Sequence, residues 1–194
     1  MEIPGAATPE FCQMMIKKYE ADVRKRKALV GPEARYEKET RDSLNLEMNA
    51  YPEWDSVVAD LRGMVYSRLD KYVTEVHQGK TDSLFLGGYD SSYTMMKYEE
   101  GGAGYQWHND FIFDHNTDRG GVRTVTWIFY LNECEGGETE FSWGTKIKPE
   151  TGKLLFFPSA WTFVHRGCAV TKGVKYACVG WIMSTFDKDI GKTV

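Results

Sequence analysis

The chain has 194 residues, 42% of them hydrophobic and 14% aromatic, and a formal net charge of −4. That length can bury one core of ordinary domain size, and the apolar content excludes a disordered chain. The acidic balance, with no long run of Lys and Arg, argues against a nucleic-acid partner, and no apolar stretch approaches the roughly 18 residues of a membrane span.

The first residues, "MEIPGAATPEF", lack a basic region followed by an apolar core. A cytoplasmic protein without leader or membrane segment is therefore expected. "TPEFCQMMIKKYEADVRKR" predicts a helix, with Thr8 as N-cap, Pro9 at the first helical position, and Phe11, Met14, Met15 and Tyr19 at helical spacing. "GPEARYEKET" reads as a charged loop, and "RDSLNLEMN" as a short strand leading inward. "YPEWDSVVADLRGMVYSRLDKYVTEVHQG" is the clearest helix: Val57, Val58, Leu61, Met64, Val65, Leu69, Tyr72 and Val76 form one stripe, and Gly79 is a natural stop. His77 ends that helix, where a cation-capable side chain suits the macrodipole.

From Leu84 the pattern changes to strands and turns. "YTMMKYEEGGAGYQWHNDF" reads as strand, Gly-rich turn, strand, and "RTVTWIFYLNE", "GGETEFSW", "GKLLFFPS", "WTFVHRG" and "VKYACVGWIMSTF" follow as bounded runs. Helices first and seven or eight short strands after predict an α+β domain, with helical support over about residues 1–80 on one face of a two-sheet barrel. Cys12, Cys134, Cys168 and Cys178 form no CxxC pair. They are expected to be reduced, buried thiols, and zinc-finger spacing is absent.

His108 and Asp110 stand two apart in "GYQWHNDFIFDHN", so on a strand both would project from one face. A lone HxD arises often by chance, and two solvated strand residues are the bland alternative. His165, in the later run "WTFVHRG", adds a third donor on a strand that must fold back beside the first. Two His and one carboxylate form the facial triad of non-haem Fe(II) oxygenases. Lys175 follows about ten residues later, after a turn at Lys172–Gly173, on what reads as a neighbouring strand. Aimed into the same cavity it would pair with a carboxylate; the bland alternative is a surface lysine. His115, beside Asp114 in an expected turn, would point away from the triad.

These motifs, in order from about Tyr93 to Ile182, resemble the 2-oxoglutarate- and Fe(II)-dependent dioxygenases of the prolyl 4-hydroxylase-like branch, nearer its stand-alone microbial and phage members. "YQWHND" is similar to that branch's Tyr-x-x-His-x-Asp, "RTVTWIFYLNECEGGETEF" to its Arg-x-x-Thr strand and Gly-Gly-Glu-Thr turn, and "HRGCAVTKGVKYACVGWI" to its His, Gly-x-Lys and closing Trp-Ile. The resemblance implies a double-stranded β-helix (jelly-roll) core over about residues 84–187, within a single domain. It implies that His108, Asp110 and His165 bind Fe(II), and that Lys175 binds the distal carboxylate of 2-oxoglutarate. Thr139 would help hold that carboxylate, Tyr98 and Tyr105 would line the same pocket, and Arg123 and Trp181 would lie toward the substrate. Core packing is the alternative for Tyr98, Tyr105 and Trp181. O2 is the implied oxidant and ascorbate a candidate reductant. Trp107, Phe111, Trp127, Phe129 and Trp181 are expected as apolar walls of the site.

The chain departs from the branch at Cys168–Ala169, Ser142 and Tyr176, which leaves the iron chemistry in place and the prolyl substrate open. Four functions are compatible with this reading: hydroxylation of prolyl residues in a peptide or protein, hydroxylation of a free amino acid or other small molecule, a non-catalytic binding module that kept the fold, and nucleic-acid dealkylation.

Overall fold

The computed structural model describes residues 1–31, 33–76, 88–114 and 121–185. Two helices open it. In α1 (Pro9–Ala21) the Thr8 hydroxyl accepts from the Phe11 N–H, so the cap read from sequence forms. Two 3₁₀ turns, Met48–Ala50 and Pro52–Trp54, precede α2 (Asp55–Val76), which therefore starts four residues after Tyr51. The α2 stripe is buried at Val57, Val58, Leu61, Val65, Leu69 and Tyr72, and half-buried at Met64. His77, Gly79 and His115, like Leu84, lie outside the described residues.

The strands are β1 (Glu2–Ile3), β2 (Arg26–Lys27), β3 (Leu44–Glu47), β4 (Gly88–Glu99), β5 (Tyr105–His108), β6 (Phe113–Asp114) and β7 (Gly121–Tyr130), then β8 (Glu135–Gly136), β9 (Thr139–Phe141), β10 (Lys146–Ile147), β11 (Leu154–Pro158), β12 (His165–Gly167), β13 (Val170–Lys172) and β14 (Val174–Thr185). Eleven of them follow α2 among the described residues, more than the seven or eight expected, because several two- and three-residue pairings sit inside runs that read as loops. Asp114 is one such case: it pairs with Gly121 in a strand and is not part of a turn.

The large sheet has the order β1-β11-β7-β14-β4-β3-β2, with β6 added at β7. The small sheet has the order β10-β9-β12-β5, and β13 pairs with β8. The pairs within both sheets are antiparallel, as in a double-stranded β-helix supported by helices. The Gly-rich turn after β4 does not close a hairpin; it carries the chain from the large sheet to the small one.

Alternation along each strand splits the core in two. Trp127 and Phe129 of β7 point to one face and pack with Met15, Tyr19, Leu61 and Val65 of the helices. Ile128 and Tyr130 point to the other and pack between the sheets with Met96, Phe141, Phe157 and Val179. Gly180 makes the helix-side face possible. A Cβ there would lie 2.2 Å from Trp127 Cζ2 and 2.3 Å from the Ser92 carbonyl, so only glycine lets the indole lie against β14.

All four cysteines are free thiols, but only Cys12 and Cys178 are buried; Cys134 and Cys168 are half-buried, a correction to the expectation. Among the described residues no helix is long and apolar enough to cross a membrane.

Candidate active site

His108 closes β5, and its register partner across the small sheet is His165, the first residue of β12. That pairing brings the imidazole rings to 4.3 Å between centroids. Asp110 follows two residues on, just beyond the end of β5, and its carboxylate lies on the same side as the His108 ring, as the spacing predicts. Each of its oxygens is 3.8 Å from one histidine Nε2, beyond hydrogen-bond reach.

The chemistry of this donor set fits a metal. His108 Nδ1 donates to the Gln106 carbonyl at 2.7 Å and His165 Nδ1 to the Phe163 carbonyl at 2.9 Å. A carbonyl only accepts, so each Nδ1 carries the proton and each Nε2 presents a lone pair. One donor atom from each of His108, Asp110 and His165 lies within 4.8 Å of the others. Burial, reinforced by the His165 ring, pulls His108 down to about 4, so its imidazole is neutral near pH 7, as a ligand must be.

A further set of residues, not read from sequence, fixes this arrangement. Thr126 on β7 donates from Oγ1 to Asp110 Oδ2 at 2.8 Å, and its hydroxyl also meets Ser159 Oγ at 2.9 Å. Both hydroxyls are buried, so the carboxylate has one defined orientation. Tyr105 stacks on His108 at 3.6 Å, and the Arg41 guanidinium lies 4.5 Å from the Tyr105 centroid on the opposite flank of the chamber wall.

Lys175 lies on β14 in the large sheet, so it faces the triad from across the cavity and not from a strand beside His165. It is buried, donates from Nζ to the Gly137 carbonyl at 2.6 Å, and lies 5.5 Å and 5.4 Å from the rings of Tyr98 and Tyr130. Burial lowers it to about 8. Gly137 adopts φ +69°, and a Cβ there would lie 3.2 Å from Lys175 Cδ, so the Gly-Gly turn is shaped to the lysine stem. Thr139, opposite on β9, is buried and shares a 2.7 Å hydrogen bond with Tyr130.

A cavity of about 240 Å³ joins these groups. Tyr98, Tyr105, Arg123, Thr139, Lys175 and Trp181 all line it with the triad, and so does Arg41. The expected apolar walls are mostly elsewhere. Trp127 and Phe129 face the helices, because their parity on β7 is opposite to that of Ile128, and Trp107 and Phe111 are 44% and 37% exposed. Met96, Ile112, Ile128, Ala177, Val179 and Trp181 supply the apolar lining instead. Arg41 had no local signal: it sits at the end of a charged loop and reaches the chamber through its isolated bridge to Tyr105.

A family model described as the 2OG-Fe(II) oxygenase superfamily matches residues 93–183. Probable prolyl 4-hydroxylase 10 of Arabidopsis thaliana is 30% identical over 158 residues, 66% of this chain and 55% of that protein. A PKHD-type hydroxylase of Synechococcus sp. (strain CC9902) is 32% identical over 96 residues, 46% of this chain and 40% of its own. The chain spans about half the length of the curated relatives it matches first. Among solved structures, a prolyl hydroxylase from Trichoplax adhaerens in complex with a hypoxia inducible factor oxygen degradation domain peptide fragment has a TM-score of 0.72 at 20% identity, covering 100% of this chain and 86% of that one. The 2OG complex of a viral collagen prolyl hydroxylase from Paramecium Bursaria Chlorella virus-1 has a TM-score of 0.62 at 21% identity, covering 95% of each. At such identities the likeness establishes the double-stranded β-helix fold.

Proposed function

We propose that the chain, of which residues 93–183 match the model of the 2OG-Fe(II) oxygenase superfamily, is such an oxygenase and hydroxylates a C–H bond of a prolyl residue in a peptide or protein, consuming 2-oxoglutarate and O2 and releasing succinate and CO2. One observation carries the reading: a His-Asp-His donor set faces a buried lysine across a single cavity of about 240 Å³. Iron held by this set supplies the oxygen activation that couples decarboxylation of the co-substrate to oxidation of a C–H bond.

The remaining work falls to the chain. His108, Asp110 and His165 hold the metal on one side of the cavity, and Thr126 keeps the Asp110 carboxylate oriented. Lys175 receives the distal carboxylate of 2-oxoglutarate, with Thr139 and Tyr98 beside it. At that end the ammonium replaces its single carbonyl partner with a charge-assisted contact. Apolar Met96, Ile128, Ala177 and Val179 exclude water from the space between lysine and triad.

A peptide substrate is supported by the surroundings of the triad, where Trp107 in β5 and Phe111, Ile112 and Phe113 just after it are exposed. Such side chains present apolar area next to the site without packing on the core. The named peptide in the Trichoplax structure and the prolyl 4-hydroxylase relatives point the same way. The test is a panel of proline-containing peptides and free amino acids, scored for Fe(II)- and 2-oxoglutarate-dependent gain of one oxygen. Oxidation of free proline with no peptide oxidised would replace this reading with a small-molecule hydroxylase.

A further inference from the structure

A second cleft, of about 370 Å³, shares Arg41, Arg123, Val179 and Trp181 with the reaction cavity. Cross-strand register explains the continuity. On the large sheet Ala177 pairs with Met96, Met96 with Asn45, and Asn45 with Arg26. Paired residues share a face, so the surface that floors the reaction cavity at Ala177 and Met96 runs outward to Asn45 and Arg26.

That cleft is cationic, and its cations are not equally committed. Arg24 is paired with Asp22 and Glu53, and Lys27 with Asp42. Arg26 is exposed, and among the described residues its side chain donates to the neighbouring Lys25 carbonyl and pairs with no carboxylate. Arg41 is half-buried, and its guanidinium meets the Ser43 hydroxyl, the Met96 sulfur and Tyr98; among the described residues no carboxylate lies within ion-pair distance of it. Arg123 lies 3.5 Å from the Trp181 ring centroid, and the buried Trp181 Nε1 has no acceptor. Among the described residues Glu47 is the carboxylate that lines the cleft, and it accepts from Thr94. A buried donor without an acceptor is costly, so an acceptor brought to the Trp181 Nε1–H by a ligand would be favourable.

We propose that this cleft binds an acidic segment of a peptide or protein substrate, with Arg41 and the Trp181 indole N–H receiving a carboxylate close to the oxidised residue and Arg26 a second one farther along the chain. The inference rests on the oxygenase reading above and adds the substrate's charge. An acidic peptide fits better than a nucleic acid because Arg24 and Lys27 are already neutralised, leaving too few cations for a phosphate backbone on a chain of net charge −4.

The test is direct binding, measured by fluorescence anisotropy under nitrogen with Fe(II) and 2-oxoglutarate present, so that no turnover occurs. The probes are a labelled proline peptide flanked by glutamates and its glutamine counterpart. The glutamate peptide is expected to bind roughly tenfold more tightly at low salt, a margin that narrows as salt rises. Arg41→Gln and Arg26→Gln should each shrink the ratio several-fold, and Arg26→Lys should keep most of it. Arg26 is exposed, so its variants report even where Arg41→Gln does not fold. Equal affinity for the two peptides, a ratio that survives both substitutions, or tighter binding of a single-stranded oligonucleotide of equal charge overturns the assignment. Succinate release by the wild-type protein separates the two layers. If release is absent the oxygenase reading fails, whereas release without a charge preference in binding sinks the acidic-substrate inference alone.

Discussion

Replacing Lys175 with Met should make the protein more stable without ligand and unable to gain stability from 2-oxoglutarate. The lysine is buried, and among the described residues its ammonium donates to the Gly137 carbonyl alone and no carboxylate pairs with it. Burial lowers it from 10.5 to about 8. A depressed lysine value means that the unfolded chain holds the proton more tightly than the folded one. The penalty is therefore complete below about pH 8 and fades as pH rises toward 10.5, so the slope of stability against pH is positive across that window. The depression corresponds to a penalty of about 3 kcal/mol at pH 7. Losing the bond to Gly137 returns about 1 kcal/mol of that, so Lys175→Met should gain roughly 2 kcal/mol at pH 7 and nothing near pH 10.5.

The assay is urea unfolding of both proteins without ligand at pH 7 and pH 10, where the difference between them cancels groups common to both. A parallel thermal-shift titration with 2-oxoglutarate and metal should raise the wild-type midpoint and leave the variant's unmoved. A variant less stable than wild type at pH 7, or one that keeps the ligand-dependent shift, would refute the argument that this lysine is held uncompensated for a carboxylate.

Three other perturbations test the supporting geometry. Thr126→Val removes the donor to Asp110 Oδ2 and should weaken metal binding about 10- to 100-fold in a calorimetric titration, with Thr126→Ser restoring most of it. Gly180→Ala drives a methyl into Trp127 and the Ser92 carbonyl and should cost roughly 1–3 kcal/mol, read as a lower urea midpoint. Gly137→Ala places a Cβ at φ +69° against Lys175 Cδ, so 2-oxoglutarate affinity should fall while metal affinity holds; a fall in metal affinity instead would disconnect the turn from the lysine.

What could be read from the chain follows a physical pattern. That His108, Asp110, His165 and Lys175 gather around one cavity was legible because such residues are rare in an apolar run, and because a β fold must return a late strand beside an early one, as the His108–His165 pairing does. The walls were not. "RTVTWIFYLNE" is apolar on both faces since β7 is covered by helices on one side and by the small sheet on the other, so alternation has no polar marker from which to count. Tyr130 could have supplied one: once its hydroxyl is placed beside Thr139, parity puts Ile128 in the cavity, turns Thr126 toward Asp110, and leaves Trp127 and Phe129 on the helix side. Arg41 is a different case. Its local surroundings are charged and exposed, its place beside Tyr105 comes from a bridge between distant segments, and its position on the cavity wall is visible only in three dimensions. Triad chemistry thus travels with residue type, while the residues that select a substrate depend on where the chain returns. For that reason Arg41 and Arg26, and not the proposed metal ligands, are the positions at which this protein's substrate preference should be sought.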